Sequence, residues 1–296
     1  MCGKILFFIL LLLIAVVATK HYSANSRREG FAQSDAFIVK TGPDIYDDFY
    51  SDIYDYLVFN NLKNDYEIGE IVKHASPTSQ SRILDVGCGT GHHVALLGAQ
   101  NIETVGIDLS PAMVHVAKKS YPQYDFRVAD ALNSATFGDN TFTHVLCLYF
   151  TIYYFKDKHQ FFTNAMKWLA PGGYLVVHLV DEHKFDPILP PGNPLLLVSP
   201  QKYAKKRITN TSVKFNDFQY TSDFRYNEKT HEAVFVEKFT NDNDGKVRKN
   251  ELTLYMPSAD TIVAEAQSAG FILDGKVDLT HCQYEYQYLY VFVKPE

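Results

Sequence analysis

The sequence predicts an α/β fold: a doubly wound, mostly parallel sheet with an antiparallel β insertion after its fifth strand. Three observations carry this reading. From Arg82 to Val180, short apolar runs alternate with helical stretches, as in strands joined by helical crossovers. From about Lys184 the rhythm changes to long β-type segments joined by turn-forming residues, and helical patterning returns only at Ser258. Between the first strand and its helix stands a glycine-rich loop, ILDVGCGTGHH, residues 83–93.

The elements follow in order. YDDFYSDIYDYLVFNNL is amphipathic and tyrosine-rich, and a second helix, YEIGEIVKHA, precedes the break SPTSQS. RILDVG is a short buried strand, HHVALLGAQ a helix, and ETVGIDLS a strand ending on an acid. Ser110 and Pro111 are the N-cap and first residue of SPAMVHVAKKSY. YDFRVAD and FTHVLCLYF are strands, DKHQFFTNAMKWLA is a helix stopped by PGG, and YLVVHLV is the fifth strand. The insertion comprises SVKFNDFQYTSDFRY, HEAVFVEKFT and KVRKNELTLYM, read as three strands turning at NEKT and NDNDG. A helix over SADTIVAEAQSAGF and two closing strands, ILDGKVDL and YQYLYVFVK, finish the chain.

The chain has 296 residues, 46% of them hydrophobic, and a formal charge of −6 without a long basic block. That leaves room for a sizeable core and argues against nucleic acid as partner. Residues 1–20 stand apart: an unbroken apolar run covers residues 5–18, below the ~20 residues that a spanning helix typically needs. A short single-pass transmembrane anchor and a cleaved signal peptide both fit. Residues 21–42 read as a linker, and residues 43–296 as the folded domain, with 184–257 as the insertion. Lys20, Arg27 and Arg28 follow the apolar run, while Lys4 precedes it, which favours a cytosolic domain. The four cysteines show no disulfide or zinc spacing, in keeping with a reducing compartment. An acidic turn at residues 240–251 and the HLVDEH segment read as a hairpin and a strand-end loop, so no metal site is expected.

A glycine loop between a strand and a helix lets a ligand approach the backbone, where the helix start offers free N–H groups. Dinucleotide binding wants a third glycine at the position that His92 occupies, and no P-loop lysine is present. The spacing here is G-x-G-x-G, Gly87, Gly89 and Gly91. Asp108, 17 residues beyond Gly91, ends the second strand, where a carboxylate can accept both hydroxyls of a ribose. Asp85 and Asp130 lie at the carboxyl ends of the neighbouring strands, the edge at which open α/β sheets bind ligands.

Residues 82–180 resemble a class I S-adenosylmethionine-dependent methyltransferase, through ILDVGCGTG, VGIDLS, VAD and LAPGGYLVV. The resemblance implies a Rossmann-like sheet of seven strands with the last one antiparallel, and S-adenosylmethionine as cofactor. It implies that the three glycines seat the cofactor's amino-acid end, that Asp85 orients it, and that Asp108 holds the ribose. Leu109 and Met113 are then expected near the adenine, Asp130 and the Ala131 N–H at its edge, and Leu148 beside the sulfonium. The chain departs from the family at Thr143, where an acid is frequent, and at FTIYYF, where histidines are frequent.

Methyl transfer needs positioning and exclusion of water, and a base only when the acceptor is protonated. Tyr149, Tyr153, Tyr154 and His178 are the candidate lining residues of the acceptor pocket. Tyr46, Tyr50 and Tyr54, spaced by four, share a helix face and read as a lid. The insertion resembles the acceptor-covering elements of small-molecule N- and O-methyltransferases. A membrane-tethered enzyme acting on a small molecule is therefore expected; a protein or lipid methyltransferase and a non-catalytic cofactor-binding scaffold are the alternatives.

Overall fold

A computed structural model describes residues 33–190 and 200–296, and the segment read as anchor or signal lies outside them. No helix among the described residues is long and apolar enough to cross a membrane.

Seven strands build the central sheet: β2 (Arg82–Val86), β3 (Glu103–Asp108), β4 (Asp125–Val128), β5 (Phe142–Cys147), β6 (Leu169–Val180), β11 (Ile272–Asp278) and β12 (Gln287–Val293). Their order is β11-β12-β6-β5-β2-β3-β4, and β12 alone runs against the rest. The mostly parallel, doubly wound sheet expected from the alternation is therefore present. Ile83, Leu84, Val145 and Leu146 of the two central strands are fully buried, as strands covered on both faces require.

The order reverses between β2 and β5. Chain connections through α3 (His92–Gly98) and α6 (Lys158–Trp168) thus step in opposite directions from the centre, and right-handed crossovers put them on opposite faces. The carboxyl ends of β2 and β5 then diverge and leave a crevice, the place where such sheets bind ligands.

A second, five-stranded sheet holds the insertion: β7 (Asn210–Lys214), β8 (Phe218–Asn227), β9 (Glu232–Asn241) and β10 (Val247–Tyr255), with β1 (Phe37–Thr41) in register beside β10. Two sequence readings are corrected here. The first of the three expected strands is a hairpin, because Phe215–Asp217 reverse the chain and Phe215 N–H bonds to Phe218 O at 2.9 Å. Residues 37–41, read as linker, form a strand parallel to β10, a pairing 210 residues away that local sequence does not announce.

Before the central sheet come α1 (Asp48–Val58) and α2 (Asn61–Ala75). The apolar pattern continued to Leu62, but the helix breaks at Phe59, where Asn60 caps α2 by accepting the Lys63 N–H. Helix α4 (Pro111–Ser120) starts at the Ser110 cap, which accepts the Met113 N–H. A short turn of helix, α5 (Thr151–Tyr154), follows β5, and α7 (Ala259–Ser268) precedes the closing strands.

Candidate active site

The crevice is a groove of about 630 Å³ above the carboxyl ends of β2, β3 and β5. Gly87 and Gly89 form its floor, Asp108 and Leu109 one side, Met113, Asp130 and Ala131 the far end. Gly89 has φ of +53°, and a Cβ there would meet only the Tyr54 ring, at 3.7 Å. Its open side therefore faces the groove, and any larger residue is both strained and projected into it. Gly91 serves differently: a Cβ would come within 2.7 Å of the Phe126 ring, so this glycine permits packing behind the loop.

Asp108 is fixed by two backbone donors, Gly89 N–H to Oδ2 at 3.0 Å and Ser110 N–H to Oδ1 at 2.8 Å. Burial raises its pKa above the ordinary carboxylate value, and the N–H groups of Ser110, Gly89 and Leu109 offset part of the rise. Asp130 is exposed and closes a turn by accepting the Leu132 N–H at 2.8 Å.

Asp85 does not line the groove. It is buried beneath the loop, its Oδ2 has no hydrogen-bond partner, and burial lifts its pKa to about 6. A buried carboxylate oxygen without a partner is costly unless a donor reaches it. The α-ammonium of an amino-acid ligand seated on the glycine loop is such a donor, so the residues present fit S-adenosylmethionine at this end as well as at the ribose.

Three further expectations are corrected. Leu148 packs in the core against Ile68 and Val176 rather than on the groove wall, because β5 ends there and the next residue turns out. That residue, Tyr149, lies on the wall with φ of +52°, a left-handed conformation that a bulky side chain adopts only under constraint. The constraint is His178: its fully buried ring donates from Nδ1 to the Tyr149 carbonyl at 2.6 Å and stacks on the Tyr149 ring. His178 is therefore behind the wall, not in it, and burial lowers its pKa to about 4. Tyr153 is likewise a core residue whose hydroxyl accepts the Val180 N–H at 2.8 Å.

Helix α1 roofs the groove. Tyr46 and Tyr54 lie on its wall, with ring centroids 6.5 Å apart, and the Tyr46 and Tyr154 hydroxyls are hydrogen-bonded to each other. Beyond these tyrosines opens a second cavity of about 120 Å³, lined on its far side by Phe185, Ile188, Leu189, Phe224, Phe235 and Leu254. Tyr46, Tyr54, Tyr149, Phe150, Tyr154 and Leu252 belong to both spaces. The insertion thus supplies one wall of a chamber that the cofactor groove opens into.

Two polar seams, not legible beforehand, hold the roof. On the loop side, Asp55 accepts from Thr90 Oγ1 at 2.7 Å and pairs with His92 Nε2 at 2.9 Å, while His92 Nδ1 meets the Tyr121 hydroxyl at 2.8 Å. On the insertion side, buried Arg248 donates to both oxygens of Asp47 at 2.8 Å, and buried Glu237 accepts from Tyr50 at 3.0 Å and Tyr220 at 2.8 Å. The acids interleaved with the tyrosines, Asp47 and Asp55, were the available signal. Their partners lie 201 and 35 to 37 residues away.

Under Tyr149 a buried charge cluster ties α2 to the loop helix. Glu67 binds Lys63 Nζ at 2.7 Å and His93 Nε2 at 3.0 Å. Burial alone would raise the Glu67 pKa, but the Lys63 charge and the His93 bond outweigh it and hold the carboxyl at about 2. Lys63 Nζ also sits 4.9 Å from the Tyr149 ring centroid.

Comparison with known proteins agrees with this geometry. Residues 84–177 match the family model described as a methyltransferase domain. The chain is 32% identical over 114 residues to a dTDP-4-amino-2,3,4,6-tetradeoxy-D-glucose N,N-dimethyltransferase of Saccharopolyspora spinosa, covering 38% of this chain and 45% of that one. It is 34% identical over 122 residues to an O-methyltransferase of Penicillium expansum, covering 38% and 44%. The chain therefore spans less than half the length of these two curated relatives. Among solved structures, an S-adenosylmethionine-dependent methyltransferase of Clostridium acetobutylicum superposes with a TM-score of 0.63 at 16% identity, covering 83% of this chain and 98% of that one. The sugar N-methyltransferase KedS8 of Streptoalloteichus does so with a TM-score of 0.58 at 21% identity, over 80% and 88%.

Proposed function

The chain carries a methyltransferase domain in the fold of the S-adenosylmethionine-dependent methyltransferases, and from that premise we propose that it transfers a methyl group from S-adenosylmethionine to a small-molecule acceptor. The observation that carries the proposal is the pair of joined spaces: a groove floored by Gly87 and Gly89 beside Asp108, opening past four tyrosines into a second cavity. When bound, S-adenosylmethionine supplies a methyl carbon activated on a sulfonium sulfur. Asp108 accepts the ribose hydroxyls, Leu109 and Met113 contact the adenine, Asp130 and Ala131 meet its edge, and Asp85 receives the ammonium. Helix α1 and the insertion exclude water and bring the acceptor close, which is the main work such a displacement asks of a protein.

The reading includes a tether: residues 1–20 anchor the protein in a membrane, with the methyltransferase domain in the cytosol, on the strength of the apolar run and the basic residues after it. Incubation of the full-length protein with methyl-labelled cofactor and a cell extract tests the activity. Labelled small molecules and demethylated cofactor should both accumulate. Label confined to protein or lipid would redirect the assignment, and tight cofactor binding without turnover would leave a scaffold.

A further inference from the structure

Resting on the methyltransferase reading, we infer that Gln287 selects the acceptor. It turns its amide oxygen into the second cavity and takes a hydrogen bond from a hydroxyl or amino group of the acceptor, at a point away from the atom that is methylated.

Place comes first. Gln287 opens β12 and pairs with Val180 at the carboxyl end of β6. Its diagonal neighbour on the same face of β6 is His178, which pairs with Leu289. Both side chains are buried, Gln287 with 2% and His178 with none of its surface exposed. Gln287 lines the second cavity and not the cofactor groove, whereas Tyr149 lines both. A group held by Gln287 is therefore on the cavity side of Tyr149, not at the sulfonium.

The direction of the amide follows from the proton on His178. Burial holds the pKa of this ring at about 4, so at neutral pH it is uncharged and carries one N–H. A carbonyl oxygen only accepts, so the 2.6 Å bond to the Tyr149 carbonyl fixes that proton on Nδ1. Nε2 is then a bare acceptor, buried and in need of a donor. The Gln287 side chain meets the ring. Its oxygen cannot satisfy Nε2, because lone pairs would face each other, but its NH2 group can. Amide oxygen and nitrogen have nearly the same shape, so hydrogen bonds decide which way the group lies. With the NH2 group given to His178, the oxygen is the end that Gln287 shows to the cavity.

That oxygen is unclaimed. Among the described residues lining the cavity, Gln287 alone has a buried polar atom without a partner, its Oε1. Asn60 accepts the Lys63 N–H and bonds the Tyr284 hydroxyl, Asp186 accepts from the Ile188 N–H and Gln201, and Gln283 is exposed. A buried carbonyl oxygen left unpaired is costly, and a donor on the acceptor removes that cost. The bonds then run in one sense, from acceptor to Gln287, from Gln287 to His178, and from His178 to the Tyr149 carbonyl, each polarising the next. The chain ends on the residue held at φ of +52° where the two spaces meet. A site built in this way favours an acceptor that carries a donor and rejects an analogue that offers only lone pairs.

Phenol and aniline, which carry a donor, and benzonitrile, which offers only an acceptor, are the probes. Each is titrated by calorimetry into the full-length protein, with and without S-adenosylhomocysteine. Phenol and aniline should bind at least about tenfold more tightly than benzonitrile. Gln287→Met, close in shape but without the amide, should lose that preference and keep its affinity for S-adenosylhomocysteine. Nitrogen NMR of histidine-labelled wild-type protein, with the His178 signals assigned by their loss in His178→Gln, should show the proton on Nδ1 at neutral pH. A proton on Nε2 overturns the inference, since the amide would then turn its NH2 group to the cavity. So does equal or tighter binding of benzonitrile, a preference that survives in Gln287→Met, or failure of all three probes to bind. Failure of S-adenosylhomocysteine to bind, with the preference for phenol and aniline present, would instead sink the methyltransferase reading and leave Gln287 as the selecting residue of the cavity.

Discussion

Asp55 on the roof helix and His92 at the start of the loop helix are joined at 2.9 Å, and Asp55 bonds Thr90 of the same loop at 2.7 Å. The residue that spoils the dinucleotide pattern is therefore the one that latches the roof. Asp55→Ala removes both bonds, each typically ~1 kcal/mol net, so cofactor affinity should fall by about tenfold or more while the melting temperature moves little. Calorimetry and a thermal melt check both halves; an unchanged affinity would mean the roof is held by the insertion alone.

Asp85 predicts a pH dependence. Its carboxyl titrates at about 6 in the folded protein because burial disfavours the charge. Bound to an ammonium it must be ionised, so below that pH binding has to expel a proton. Cofactor affinity should rise about tenfold between roughly pH 5 and roughly pH 7 and then level off. Asp85→Asn should bind more weakly and lose this dependence. A flat profile in the wild-type protein would remove Asp85 from the site.

The pKa of Glu67 is shifted the other way. Its folded pKa, about 2, lies below the ordinary glutamate value. Its contribution to stability is thus complete above the unfolded pKa and is lost as pH falls toward 2. Glu67→Ala leaves Lys63 buried without a counter-charge and should cost about 3–5 kcal/mol in urea denaturation. A cost near zero would show that Lys63 finds another partner or water.

The insertion, expected as a cover for the acceptor, is also tied to the roof, through Arg248 to Asp47 and Glu237 to Tyr50. Replacing residues 184–257 by a short linker should therefore leave the central sheet folded, by circular dichroism, yet weaken the cofactor together with the acceptor. Full cofactor affinity in the shortened protein would show that these ties do not support the cofactor site.

Asn210-Thr211-Ser212 fits the glycosylation acceptor pattern, and Asn210 is exposed at the start of β7. Expressed in a eukaryotic cell, a cytosolic domain stays bare at that asparagine. A glycosidase-sensitive mass shift would put the domain on the other side of the membrane.

What the sequence made legible was local. Strand–helix alternation, the Ser110 cap and the glycine spacing each depend on neighbours within a few residues, and the groove they define contains Gly87, Gly89, Asp108, Leu109, Met113, Asp130 and Ala131. What it hid was distant. Strand β1 pairs with β10 across the whole chain, and Asp47 meets Arg248. Lys63 and Glu67 have the spacing of an ordinary exposed helical pair, yet both are buried because α2 is covered by Tyr149, Tyr284 and the loop helix. Tyr153 and His178 are polar groups near strand ends, and only packing reveals that each is committed to a backbone partner.

The account stands most directly on one titration: S-adenosylmethionine into the full-length protein and into Asp108→Ala. The wild-type protein should bind one equivalent. The variant loses charge-assisted bonds to the ribose, each worth about 1.5–3 kcal/mol, and should bind at least about a hundredfold more weakly with its fold intact by circular dichroism. Equal affinity in the two proteins, or no binding by the wild-type protein, would contradict the assignment of the groove to this cofactor.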